Sequence, residues 1–267
     1  RLFPLLFTAS LVTSAAAQDL RRGIVDADAV VVARAVMRTE RDADLVLHRL
    51  QVLRAVRGAG DHATVTVLEF PKLAMHQRPT PRQSRLYCLQ DASEQAARLE
   101  LPASEGPFYK MVGWAGSNPL IGSDLDADPT VRFATLLAAS DAGAAPDQTA
   151  AALCTIALEG DPVVRTEAAR FLTERPDLRS RLIGLQWSRL VTRATGEVED
   201  VPHKIALAEL CAEQRVDGLL DALAVSLGPV QDPEYARTVG RIGKLLHGET
   251  ATARLDQRLR MAAQPQD

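Results

Sequence analysis

Leu158-Glu159-Gly160-Asp161-Pro162-Val163-Val164-Arg165 carries the start signal of a helix. The aspartate can accept hydrogen bonds from the first free N–H groups of a helix, and proline at the first helical position has no N–H to leave unsatisfied. Beyond Pro162, Val164, Ala168, Phe171 and Leu172 fall at i, i+4, i+7 and i+8 and form one apolar stripe, with Arg165, Glu167, Arg170 and Glu174 off it. Such a helix needs neighbours. Ala150, Leu153, Ile156 and Ala157 supply a stripe before it, and Leu207, Leu210 and Cys211 one after it. The D-P-x-V-R pattern also stands 33 residues earlier, at Asp128-Pro129-Thr130-Val131-Arg132, and looser forms follow at Asp200-Val201-Pro202 and Asp232-Pro233, 39 and 32 residues on. A start recurring at that interval leaves room for two helices per unit, the pattern of a helical solenoid.

Followed by Ala168, Ala169 and Leu172, this turn and helix start is similar to the HEAT repeat. The resemblance implies a protein-binding scaffold, because stacked helices present an extended surface. Exposed helix positions would then meet the partner, with Arg170 and Arg241 as the candidates.

Ahead of residue 128 the period is two. Ala29 to Met37 is a β-branched run, Asp44 to Arg57 puts Val46, His48, Leu50, Val52 and Val56 on one face, and Thr64 to Phe70 alternates again. Arg85 to Gln90 and Phe108 to Val112 complete four or five strands, separated by Gly58-Ala59-Gly60-Asp61 and Pro79-Thr80-Pro81. That many strands in about a hundred residues suggests a small antiparallel barrel or sandwich, since closure removes exposed edges. The order Asp26-Ala27-Asp28-Ala29, Val30 to Val36, Leu50 to Gly58, Val65-Thr66-Val67 and Pro81 to Leu89 resembles the netrin-like and metalloprotease-inhibitor superfamily, an OB-type barrel. Inhibitors of that superfamily offer an N-terminal cysteine to the protease zinc, whereas the mature chain is expected to begin at Gln18. Inhibitory activity is therefore not carried over.

The expected architecture is α+β in two domains. A signal peptide spans 1–17, a small antiparallel OB-like β-barrel 18–113, a linker 114–128 and a HEAT-like helical repeat domain 129–267. The leader reading rests on Arg1, the apolar run Leu2 to Val12 and the small residues Ala15-Ala16-Ala17, where a signal peptidase would cut. The run is shorter than the roughly 20 residues of a membrane span. An exported, periplasmic or secreted protein follows, with no membrane span after cleavage.

Export permits disulfides, so the three cysteines matter. Buried free thiols are the first expectation. A bridge between Cys154 and Cys211, 57 residues apart, is the alternative and would contribute about 4 kcal/mol in the chain-entropy model.

With 267 residues there is ample length for a core, and 46% hydrophobic with 24% charged residues is the ordinary globular balance. A net charge of −3 and 4% aromatics offer neither the basic field nor the stacking platforms of a nucleic-acid binder. No G-x-S-x-G, H-E-x-x-H, Walker loop or G-x-G-x-x-G is present, and His48, His62, His76, His203 and His247 show no metal-like spacing. Asp124, Asp126 and Asp128 alternate as in a calcium loop, but Pro129 replaces the required glycine, so helix capping is expected instead. His76-Gln77-Arg78 reads as a solvated hairpin tip. The leading function is an exported non-catalytic interaction or scaffold protein with no cofactor. A protease inhibitor or regulator acting through the barrel, and an enzyme with an unrecognised site, are the alternatives; partner and oligomeric state are left open.

Overall fold

The computed structural model describes residues 20–71, 79, 81–112, 119–141, 143, 145–196, 200–227 and 232–247. The expected cleavage site at Ala17, the His76-Gln77-Arg78 tip, the glycines at 113 and 116 and the C-terminal tail lie outside them. The chain is α+β, strands first and helices after. It divides into two compact units, Arg1–Ala144 and Ala145–Asp267.

In the first unit, β1 (Ala29–Asp42), β2 (Leu45–Arg57), β3 (Thr64–Glu69), β4 (Ser84–Asp91) and β5 (Phe108–Met111) occupy the stretches whose side chains alternate in the sequence. Each strand pairs with two others in the order β1-β2-β3-β5-β4 and back to β1, so the sheet closes on itself. All pairings are antiparallel except β3 with β5, where Thr66 faces Phe108 and Val67 faces Tyr109. Inward-pointing Ala29, Val31, Ala33, Leu50, Val65, Val67, Tyr87 and Leu89 fill the interior. A second cluster lies outside, where α1 (Ser93–Arg98) lays Ala96 over Leu45, Leu47, Leu68 and Phe108.

One turn shows why glycine is required. Gly58 closes β2 at φ +71°, and a Cβ there would stand 1.9 Å from the Asp28 carbonyl oxygen. Beside it, Arg57 donates to the carbonyls of Ile24, Val25 and Ala27, satisfying the free end of the helical residues 20–26.

Helix α2 (Pro129–Asp141) belongs to this first unit, not to the helical array in which the sequence expectation placed it. The reason is packing. It lies against β2, and Arg54 of that strand donates to the Asp126 carboxylate just ahead of it at 2.5 Å. The observed division therefore falls at residue 144 instead of in the 114–128 segment.

The second unit holds α3 (Pro146–Glu159), α4 (Pro162–Glu174), the single turn α5 (Pro176–Arg179), α6 (Gly184–Thr195), α7 (Val201–Glu213), α8 (Leu219–Ser226) and α9 (Pro233–His247). Three hairpins are formed, α3 with α4, α6 with α7 and α8 with α9. First helices neighbour first helices (α3, α6, α8) and second helices neighbour second helices (α4, α7, α9), giving two layers. The three second helices are those that open on an Asp-Pro or Asp-Val-Pro start.

Candidate functional site

The repeated starts prove to be joints as well as caps. Asp200 Oδ1 accepts the His203 backbone N–H at 2.9 Å, which satisfies one free donor of α7. Its other oxygen, Oδ2, accepts from Arg165 of α4 at 2.6 Å. One carboxylate thus caps its own helix and holds the preceding hairpin. At the matching position α7 carries Lys204, whose ammonium lies 4.5 Å above the Tyr235 ring of α9. Asp232 caps α9 through the N–H groups of Glu234 and Tyr235.

The other layer is tied in parallel. Arg193 of α6 donates to the Leu158 carbonyl at 2.9 Å, and Arg189 pairs with Glu159 at 2.5 Å. The Tyr235 hydroxyl donates to the Ala194 carbonyl at 3.0 Å and lies 3.0 Å from the Ser226 hydroxyl, so one ring joins α6, α8 and α9. In the sequence D-P-x-V-R marks a helix start, and only the fold shows its arginine as a tie. The signal was present in the recurrence of a cation, Arg165 and Lys204, four residues after the aspartate.

His203 occupies the joint between the first two hairpins. Its side chain is fully buried, and neither ring nitrogen has a hydrogen-bond partner. The Ala157 carbonyl of α3 lies near enough to favour a proton on the ring, yet outside hydrogen-bond geometry. Loss of water, followed by the charge of Arg165, brings the imidazole down to about 4.

The two arginines expected to face a partner separate. Arg241 is two-thirds exposed and pairs with Glu209 of α7. Arg170 is not an exposed position: its side chain is 23% exposed and it donates at 2.9 Å to Glu167, which is 0% exposed. Glu167 lies off the apolar stripe of α4, but α4 packs on α3, α5 and α7 and buries that face too. Arg170 is consequently a counter-ion of a buried acid.

Cys88, Cys154 and Cys211 are all buried free thiols, so the possible bridge between Cys154 and Cys211 is not formed. Helices α3 and α7, which carry that pair, sit diagonally across the two layers, each packing on α4 and α6. Burial pushes Cys88 and Cys211 up to about 12 and Cys154 to about 11. Thiols so hard to ionise are poor nucleophiles and poor metal ligands.

In the barrel, His48 and Glu69 meet inside the sheet, Nε2 to Oε2 at 2.5 Å, each side chain 2% exposed. Adjacent strands β2 and β3 carry them, so the pair clamps the sheet away from solvent. Asp124, Asp126 and Asp128 are spent locally: Asp124 accepts from the N–H of Asp126 and Ala127, Asp128 from those of Gly122, Thr130 and Val131, and Asp126 holds Arg54. An open cleft of about 530 Å³ beside α1 sets Asp91 and Glu94 against Arg98 and Lys110. A second, of about 420 Å³, opens between α3 and α6 beside Arg189 and Arg193.

Among the described residues no three His, Cys, Asp or Glu side chains are grouped to hold a metal ion, and no helix is long and apolar enough to cross a membrane. Comparison of the chain with protein-family models, curated proteins and solved structures finds no match.

Proposed function

We propose that this chain is an exported, non-catalytic interaction protein in which an OB-type barrel is joined to a HEAT-like helical array that binds a protein partner. The carrying observation is the set of ties between successive hairpins, Arg165 to Asp200, Arg193 to the Leu158 carbonyl and Tyr235 to the Ala194 carbonyl. Ties at every step hold the helices as one continuous surface, which is what recognition by a solenoid requires. The barrel half of the reading is supported by the strand order β1-β2-β3-β5-β4 and the parallel β3–β5 pair, the connectivity of a five-stranded Greek-key barrel. Export rests on the leader-like residues 1–17.

The test is capture of partners from an envelope fraction by the full-length protein, then a binding isotherm for the captured protein against wild type and Arg241→Glu. Arg241 is exposed, so the reversal should leave the melting temperature nearly unchanged while weakening the complex. A partner indifferent to every exposed charge on α4, α7 and α9, and bound as tightly after the array is displaced by urea, would overturn the reading.

A further inference from the structure

The joint between the first two hairpins contains a group that none of its ties uses. His203 lies on the first turn of α7 with its ring fully buried, and four helices meet around it. Arg165 comes from α4, Arg193 from α6, the Ala157 carbonyl from α3, and Asp200 caps its own helix. Of the other helices against α7, α9 meets it elsewhere, Tyr235 taking Lys204 and Arg241 taking Glu209, and the one titratable side chain of α8 is the exposed Asp221.

A proton on this ring would have only the Ala157 carbonyl close by, and that oxygen lies outside hydrogen-bond geometry. Of the local groups only Asp200 is an acid, and both its oxygens are engaged, Oδ1 at 2.9 Å by the His203 N–H and Oδ2 at 2.6 Å by Arg165. Arg165 and Arg193 would then be two like charges acting on a third at a ring with no exposed surface. The Ala157 carbonyl is a neutral acceptor and cannot offset a third positive charge, so charge relief comes if Asp200 turns from Arg165 to the imidazolium or if the joint opens to solvent. Either event breaks the α4–α7 tie. The cleft of about 420 Å³ beside Arg193 brings water close to the same joint.

We propose that His203 is an acid-operated release for the helical array: proton uptake by its buried ring uncouples the α3–α4 hairpin from the α6–α7 hairpin. The sign follows from linkage. With its folded value held down near 4 and an unfolded histidine near 6.5, the unfolded or opened chain takes up the proton first. Stability from this group is complete above about 6.5, is lost as the pH falls, and levels off below about 4. Uptake of one proton raises the opening equilibrium about tenfold per pH unit across that window, roughly 300-fold in all. If the array is the binding surface proposed above, its partner would be shed in acid, but the release itself is a property of the fold and is tested without a partner.

The experiment is urea denaturation of the full chain at intervals from pH 8 to 4, for wild type, His203→Gln and His203→Leu. Wild type should show the steeper acid loss, by about tenfold per unit in the unfolding constant, and both variants should lack that component. Should neither variant fold, hydrogen exchange on the wild type decides: the amides at the starts of α4 and α7 should lose protection at pH 5 relative to pH 7, ahead of the barrel strands. Equal pH slopes in wild type and variants, or uniform protection at pH 5, would overturn the proposal.

Discussion

Replacing Arg170 by glutamate removes the cation that stands 2.9 Å from a carboxylate with no exposed surface and sets a second carboxylate beside it. Removing one partner of a buried pair costs about 3 to 5 kcal/mol, because a charge already deprived of water loses the attraction that offset its burial. The introduced like charge adds to this, although Arg170, 23% exposed, can swing its replacement partly towards solvent. A loss of at least about 3 kcal/mol is expected, a large share of the roughly 5 to 15 kcal/mol that holds a typical protein folded. Urea denaturation followed by circular dichroism of the helical signal measures it, with the slope against denaturant checked for constancy. Two companions make the cause identifiable. Arg241→Glu, at a two-thirds exposed position, should cost under about 1 kcal/mol. The double replacement Glu167→Leu with Arg170→Met should cost less than Arg170→Glu alone, since both charges leave the interior together. If Arg170→Glu falls within about 1 kcal/mol of wild type, the Glu167 pair is not the buried element described above and the reasoning fails.

Gly58→Ala should destabilise by about 3 kcal/mol or more, as a Cβ 1.9 Å from the Asp28 carbonyl adds overpacking to a left-handed backbone, while Gly60→Ala, with nothing nearer than 3.9 Å, should cost only about 1 kcal/mol; thermal melts of the two variants compare them directly. Tyr235→Phe should lower stability by about 1 to 2 kcal/mol by leaving the Ala194 carbonyl without its donor, and an unchanged melting temperature would contradict that tie. Iodoacetamide at pH 8 should modify none of the three cysteines in the native protein and all three in denaturant, a linked Cys154–Cys211 peptide being the contrary result.

The local signals in the sequence carried the elements. Alternating side chains marked the strands because successive residues of a strand face opposite sides, and observed β2 (Leu45–Arg57) and β4 (Ser84–Asp91) differ from the expected runs by a residue at their ends. The helix starts at Asp128, Asp200 and Asp232 were legible because a cap is chemistry within three residues of chain. Strand β1 runs on to Asp42, past the expected end at Met37, because its last residues pair across a turn with Leu45 to Arg49 of β2.

Tertiary structure decided everything that depends on a second surface. Whether the helix from Pro129 joins the barrel or the array is set by its packing on β2, far back in the chain, and no periodicity records that contact. A stripe argument assigns one buried face per helix, so it misplaced Glu167 and Arg170 on a helix covered by three neighbours. The same holds at the joint of the first two hairpins. His203 is one histidine among five in the sequence, and only the convergence of four helices buries it and brings the charges of two arginines to bear on it. Capping and alternation are short-range and survive in one dimension, whereas burial and charge pairing are set by which segments meet.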